Sequence, residues 1–426
     1  MADVPDNPLI RSGKPLFFSV ANPDEVGLAA PPLRLGEAVR LCVRSLSAMQ
    51  KEALVVAART GVMWRLASDE GAYLAGLDEA PCPLSFLTTG MVSSYMTEVL
   101  ALAKQRGLRI DRIRLVQDNY YTMVGSALKG TMTGGAKNVD LTAQIAGDAD
   151  RDTLTQLVLD ATAASPLNGL MRGSKPSLFT LTHNGREIAP ARALRVSQPA
   201  ERDPDARFDK AVPAPGDWSP MIRRGGLTPK AGHTVTLAND SLADQQSRLL
   251  RIRGICTLRN DGVKEIEQQL YNPHGSIFRF LCDEAPANGG GGRAPDAASY
   301  ICAGIGFCFM TQLGRYAKIA GKRLERYRIV QDAHLSLGGA SAGTGAAGTA
   351  DPIETHVYLD THEDDDFART ALDMGEQTCF LHAFCKTDLK AKVTVQDYPH
   401  VAGEDISLAS PLTLTSSSTA PGTLAP

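Results

Sequence analysis

"GIGFCFMTQLGRYAKIAGKRLERYRIVQD", residues 304–332, repeats in altered form an earlier stretch, "GMVSSYMTEVLALAKQRGLRIDRIRLVQD", residues 90–118. The two run in one register, 304 − 90 = 214, and 12 of their 29 positions are identical, among them Gly90/Gly304, Thr97/Thr311, Gly107/Gly321 and the closing Val-Gln-Asp. The same offset pairs Cys42 with Cys256 and Arg65-x-x-x-Asp69-Glu70 with Arg279-x-x-x-Asp283-Glu284, and it runs without a gap to "SPLN" (165–168) against "CFLH" (379–382). A period this long indicates a duplicated domain, since solenoid units span about 20 to 50 residues.

Working outward, each copy predicts the same order of elements. Short β-type runs come first, "AVRLCVRSL" and "GVMWRLAS" early, "LRIRGICTL" and "SIFRFLC" late. A long helix follows, over 85–106 and 299–320, ended by Gly107 and Gly321 just past the last apolar position. Both helices are apolar around the circumference, as helices buried among other elements should be. The next strands, "LRIDRIRLVQD" and "KRLERYRIVQD", space their arginines so that these should face water. "NVDLTAQI" and "PIETHVYL" read as further strands, and second helices follow over 152–168 and 366–382, both opening on acidic residues that suit a helix N-terminus. "SLFTLTHN" and "DLKAKVTVQDY" close the copies.

The expected organisation is a unit over residues 1–184, a Pro-, Arg-, Asp- and Gly-rich connector over 185–248, a second unit over 249–400 and a disordered tail over 401–426. "AGHTVTLAND" in the connector has the text of a strand for the second unit.

With 426 residues, 43% hydrophobic and 21% charged, the chain reads as a globular protein able to bury more than one core. A net charge of −3 gives no reason to expect nucleic acid as partner, and no apolar run in the text approaches the eighteen or so residues of a membrane helix. The N-terminus lacks the charged and apolar regions of an export signal, so the expected location is cytoplasmic and the eight cysteines are expected as thiols. The Gly-rich run at 289–292 lacks the Lys-Ser/Thr of a phosphate-binding loop. Neither the scattered histidines nor Cys379-x5-Cys385 has metal-ligand spacing, so no metal and no cofactor is expected.

The candidate chemistry lies where the copies differ. Cys308 and Cys379 both become serine in the first copy, as Ser94 and Ser165. Residues that act as a pair are lost as a pair, so the two thiols read as one device, present once and dismantled once. The competing reading is that both fill apolar space, as free cysteines often do. His382, three residues after Cys379, could share a helix face with it and serve as a base for a thiol nucleophile, or be simply packed.

On "AGIGFCFMTQLGRYAKIAGKRL" and "TCFLHA", with "SPLNGLMRG" in the first copy, the chain resembles the OsmC/Ohr-like family of osmotically inducible and organic hydroperoxide resistance proteins. The resemblance covers most of residues 39–183 and 250–397. It implies an α+β fold in which two OsmC-like units wrap antiparallel sheets around two long buried central helices. Here the two copies would form an intrachain pseudo-dimer, with further homo-oligomerisation left open. It also implies a reaction. Cys308 attacks an organic hydroperoxide and becomes a sulfenic acid, Cys379 resolves it as a disulfide, and an external dithiol reductant reopens the bond. The family places a tuning Glu about nine residues before the first cysteine, where this sequence has Ala298, Ser299 and Tyr300. The nearest acids are Asp296, Asp283 and Glu284, and the arginines within range of the argument are Arg40, Arg65, Arg253 and Arg293. The alternatives are a cysteine-nucleophile hydrolase that cleaves an acyl or carbon–carbon bond of a small metabolite, with His382 as base, and a non-catalytic binder of an apolar ligand.

Overall fold

The computed structural model describes residues 6–47, 49–230, 241–286 and 290–399. The strand expected in "AGHTVTLAND" and the tail after residue 399 lie outside the described residues. The first copy contributes β1 (Gly36–Ser47), β2 (Gln50–Ala57), β3 (Met63–Ser68), α1 (Pro83–Gln105), β4 (Ile110–Ser126), β5 (Val139–Gly147), α2 (Arg151–Ala164), α3 (Asn168–Met171) and β6 (Ser177–His183). The second contributes β7 (Gln245–Leu258), β8 (Lys264–Asn272), β9 (Ser276–Cys282), α4 (Ala297–Ile319), β10 (Arg326–Ser336), β11 (Ile353–Asp360), α5 (Asp365–Thr378), α6 (Phe380–Lys386) and β12 (Ala391–Asp397). The bounds of α1 and α4, of α2 and α5, and of β6 and β12 repeat at the offset seen in the text, as in 297 − 83 and 391 − 177, both 214.

The strands do not stay with their own copy. One sheet runs β3-β2-β1-β10-β11-β6, the other β9-β8-β7-β4-β5-β12. The joins between copies are the antiparallel pairs β1–β10 and β4–β7 and the parallel pairs β11–β6 and β5–β12. Between the sheets lie the long helices, α4 on the first and α1 on the second, in mutual contact, so the layers run sheet, helix, helix, sheet. By length and composition α4 could cross a membrane, but 94% of its most apolar window is buried inside the protein. A helix apolar on all sides needs such surroundings.

Each long helix starts and stops for local reasons. Pro83 occupies the first turn of α1, where its missing N–H costs nothing. At α4 the Asp296 side chain caps the Ser299 amide at 2.7 Å. The two helices cross where the repeat keeps glycine. A Cβ on Gly90 would lie 2.6 Å from the Ala297 carbonyl oxygen, and one on Gly304 2.6 Å from the Leu87 nitrogen. Backbone meets backbone there, and no other residue fits.

Three expectations need correction. First, Cys42 and Cys256 are not equivalent. Val39 pairs with Ala57 in the first hairpin and Ile252 with Leu270 in the second, an offset of 213, whereas Lys51 with Ser68 and Lys264 with Cys282 show that the third strand returns to 214. A one-residue slip exchanges the faces of a strand. Cys256 therefore faces the helices, and Cys42 packs on the outer side with Phe18, Val20 and Phe208. Second, the arginines of β10 do not all face water. The same outer cover lies over the first sheet, and Arg328 is buried against Asp203 and Asp360, while Arg112 on the second sheet is exposed. Third, the second helices are broken. α2 stops before Ser165 and α5 before Cys379, both of which have extended backbone. Pro166 enforces the break in the first copy. In the second the Cys379 sulfur caps the new helix by accepting from the His382 amide at 3.5 Å.

Gly90→Ala and Gly304→Ala should each lower stability by about 1–3 kcal/mol, the usual cost of overpacking. Denaturant unfolding that leaves the midpoint unchanged in both variants would contradict the close crossing.

Candidate active site

The fold brings Cys308 and Cys379 together. Cys308 lies in the middle of α4 and Cys379 at the break between α5 and α6, and the two thiols are near enough for Cys379 to disfavour ionisation of Cys308. In the first copy the same two positions hold Ser94 and Ser165, whose hydroxyl oxygens are 2.7 Å apart. All eight cysteines are free and buried. Burial pushes the Cys308 thiol well above the usual range, as does the neighbouring Cys379, while the Leu381 backbone amide works in the opposite direction.

His382 is placed differently from the expectation of a base. Its backbone amide, not its ring, reaches Cys379. The ring lies between Phe179 at 5.5 Å and Phe309 at 5.3 Å, and neither ring nitrogen has a hydrogen-bond partner. Burial lowers its pKa from 6.5 to about 4, so it is neutral at physiological pH. A spacing of three puts two residues on one helix face only where the helix is continuous, and here Cys379 is the cap outside it.

A narrow cleft opens onto Cys308. Glu70, Tyr73, Cys82, Arg248, Thr311 and Phe380 form much of its wall, and its cavity volume is about 30 Å³. That is room for a group the size of a water molecule. The buried Leu74, Leu84, Leu250 and Leu270 add an apolar part to the wall. So the sulfur from the second copy looks into a space that the first copy helps to enclose.

The acid at this cleft was not among the sequence candidates. Glu70, in the loop after β3, accepts from Thr311 on α4 at 3.0 Å and from the Tyr73 hydroxyl at 2.7 Å. Burial raises its pKa. Its signal in the text was the repeat itself, because Glu70 is the counterpart of Glu284. The exchange of strands puts it beside the other copy's cysteine. The arginines that the sequence offers are all engaged elsewhere: Arg40 with Asp332, Arg65 with Glu52, Arg253 with Asp118 and Arg293 with Asp283. Asp296 caps α4, and Glu284 binds Lys264 at 2.7 Å. Among the described residues no His/Cys/Asp/Glu group could hold a metal ion.

Residues 289–394 match the family model described as OsmC-like protein. Among solved structures, an OsmC-like hydroperoxide resistance protein from Jannaschia sp. CCS1 is similar to 30% of this chain and 80% of its own, at 20% identity and a TM-score of 0.18. No curated protein matches the sequence.

The buried His382 has a pH signature. Its folded pKa lies below its unfolded value, so the unfolded state binds the proton more readily. The associated stability is present above pH 6.5 and is lost as pH falls from there towards about 4. The full loss is on the order of 3 kcal/mol, at about 1.4 kcal/mol per pH unit. In His382→Leu, unfolding midpoints measured across this range should fall less steeply than in the unaltered protein. Some slope remains, because burial also lowers His334 and His356. Equal slopes in the two proteins would contradict the neutral, enclosed ring.

Proposed function

We propose that this chain, whose residues 289–394 match the OsmC-like family model, is a thiol-dependent peroxidase acting on organic hydroperoxides. The observation that carries the reading is the placing of Cys308, on a cleft partly walled by leucines, beside Cys379, at positions whose first-copy equivalents Ser94 and Ser165 lie 2.7 Å apart. Cys308, as thiolate, attacks the distal oxygen of the hydroperoxide. The O–O bond breaks, sulfur gains that oxygen as a sulfenic acid, and the organic part leaves as an alcohol once protonated. Cys379 then displaces the oxygen as water and forms the disulfide, which an external dithiol reduces. The neighbouring positions of the two thiols, matched by the touching Ser94 and Ser165 of the first copy, support the second step, and the small cavity beside Cys308 suits the peroxide group, with the organic tail along the leucines.

In this reading the units over 1–184 and 249–400, joined by the connector 185–248, arose by duplication and form an intrachain pseudo-dimer. Only one of its two sites keeps the thiols. The protein works in the cytoplasm with a small organic substrate and a dithiol, without nucleic acid, membrane or cofactor. The hydrolase alternative relies on His382 as base, and the His382 ring is packed between Phe179 and Phe309, with only its backbone amide at Cys379.

The test treats the reduced protein with cumene hydroperoxide and maps disulfides by mass spectrometry. The expected product is a Cys308–Cys379 bond that dihydrolipoamide reverses. Cys308→Ser should lose hydroperoxide consumption, and Cys379→Ser should stop at a sulfenic acid that dimedone traps. Unaltered consumption in Cys308→Ser would overturn the reading.

A further inference from the structure

The two halves of the molecule supply an internal comparison. In the half without the thiols, Lys264 on β8 donates to Glu284 and to Thr97, both at 2.7 Å, and Thr97 also reaches Glu284 at 3.3 Å. The amine is closed into a three-way contact. The counterparts in the thiol half are Lys51 on β2, Glu70 and Thr311. There Thr311 and Tyr73 occupy the two oxygens of Glu70. Lys51 is left out, and its hydrogen bond goes instead to the Met49 carbonyl. Among the described residues it forms no ion pair, although it is 1% exposed. Its place is fixed by the comparison: Lys264 touches Thr97, one helical turn after Ser94, and the counterpart of Thr97 is Thr311, one turn after Cys308, which bonds Glu70 on the cleft that Cys308 lines.

A buried amine held off its acid is a costly arrangement unless something else uses the charge. Burial pushes this amine down and the carboxyls of Asp69 and Glu70 up, just as it pushes the Cys308 thiol up. None of these groups ionises easily alone. A thiolate and an ammonium formed together stabilise each other in the same dry surroundings.

We propose that Lys51 is the proton acceptor and countercharge of the Cys308 thiol. The S–H bond breaks, the proton forms an N–H bond on Nζ, and the electron pair stays on sulfur. When the thiolate attacks a hydroperoxide and the O–O bond breaks, the alkoxide takes that proton from Lys51. The amine is then restored and the alcohol released. The inference rests on the reading of Cys308 as the reacting thiol. The other charged or titratable groups around the pair are Glu70, Asp69 and Tyr73 after β3, Cys82 before α1, Tyr121 on β4, Cys379 before α6 and Arg248 on β7.

The experiment follows alkylation of Cys308 by iodoacetamide against pH in the reduced full-length protein, with the site read by peptide mass spectrometry. In the unaltered protein the half-point should lie below that of a free thiol, about 8.5. In Lys51→Met it should rise by about one pH unit or more, with alkylation at neutral pH slowed about tenfold. Lys51→Arg, which keeps the charge, should hold the half-point low. Lys264→Met, the counterpart in the other half, should leave the profile unchanged. A Lys51→Met profile equal to the unaltered one overturns the proposal. So does a half-point at or above that of a free thiol in the unaltered protein, a result that stands even where the methionine variant does not fold. Alkylation needs no hydroperoxide. A lysine-dependent profile in a protein that consumes no hydroperoxide would therefore defeat the peroxidase reading and leave this one standing.

Discussion

The hydrogen bonds that join β1 to β10 and β4 to β7 are the constraint from which the rest of the molecule follows. They run over nine residue pairs in the first case and thirteen in the second. They make each sheet out of both halves, so neither half has a complete sheet of its own. With sheets shared in this way, the two apolar helices have one place to go, between them and against each other. The contact is close because Gly90 and Gly304 present backbone to backbone. Ion pairs mark the same seams on the outer faces: Arg40 with Asp332 at one, Arg253 with Asp118 at the other, each at 2.7 Å. Both carboxylates are buried and both arginines half-buried. Their value is in register, since a slip by one residue would turn every apolar side chain outward.

The interlocked halves also explain how one chain can hold two unequal sites. Each cysteine position belongs to one half, whereas the lysine, the acid and part of the wall belong to the other. Substituting the thiols in one place does not disturb the sheets, because serine at 94 and 165 keeps a hydrogen-bonded pair in the same space. The partners then settle. Lys264, Glu284 and Thr97 close on one another, and the neighbouring Ser93 hydroxyl lies 2.8 Å from the Cys282 sulfur. The outer faces differ as well. Phe18, Val20, Val26 and Phe208 cover the first sheet, whereas on the second the guanidinium of Arg112 lies over the ring of Tyr398 at 4.3 Å.

Much of this was legible in the text because the repeat doubled every signal. The two glycines that end the long helices, the paired serines and cysteines, and the order of strands were each written twice. What escaped was whatever depends on contacts between the copies. Glu70 was visible as the partner of Glu284, yet nothing in a sequence says that an acid serves the other copy's cysteine. Lys51 was harder still, since the one-residue slip of the first hairpin hides its match to Lys264. The burial of Arg328 comes from Asp203 and its neighbours, a segment with no counterpart in the repeat. His382 misled for a local reason: spacing along a helix means nothing across a break, and the break at Cys379 lacks the proline that announces it at Pro166.

The central claim is that the C-terminal half depends on the N-terminal half for its sheet and for the enclosure of Cys308. Its most direct test is the size and stoichiometry, by analytical ultracentrifugation, of residues 241–399 produced alone and produced together with residues 6–230. The account predicts a stable one-to-one complex from the pair and no folded monomer from the C-terminal segment alone. A monomeric C-terminal segment with a cooperative unfolding transition of its own would contradict it.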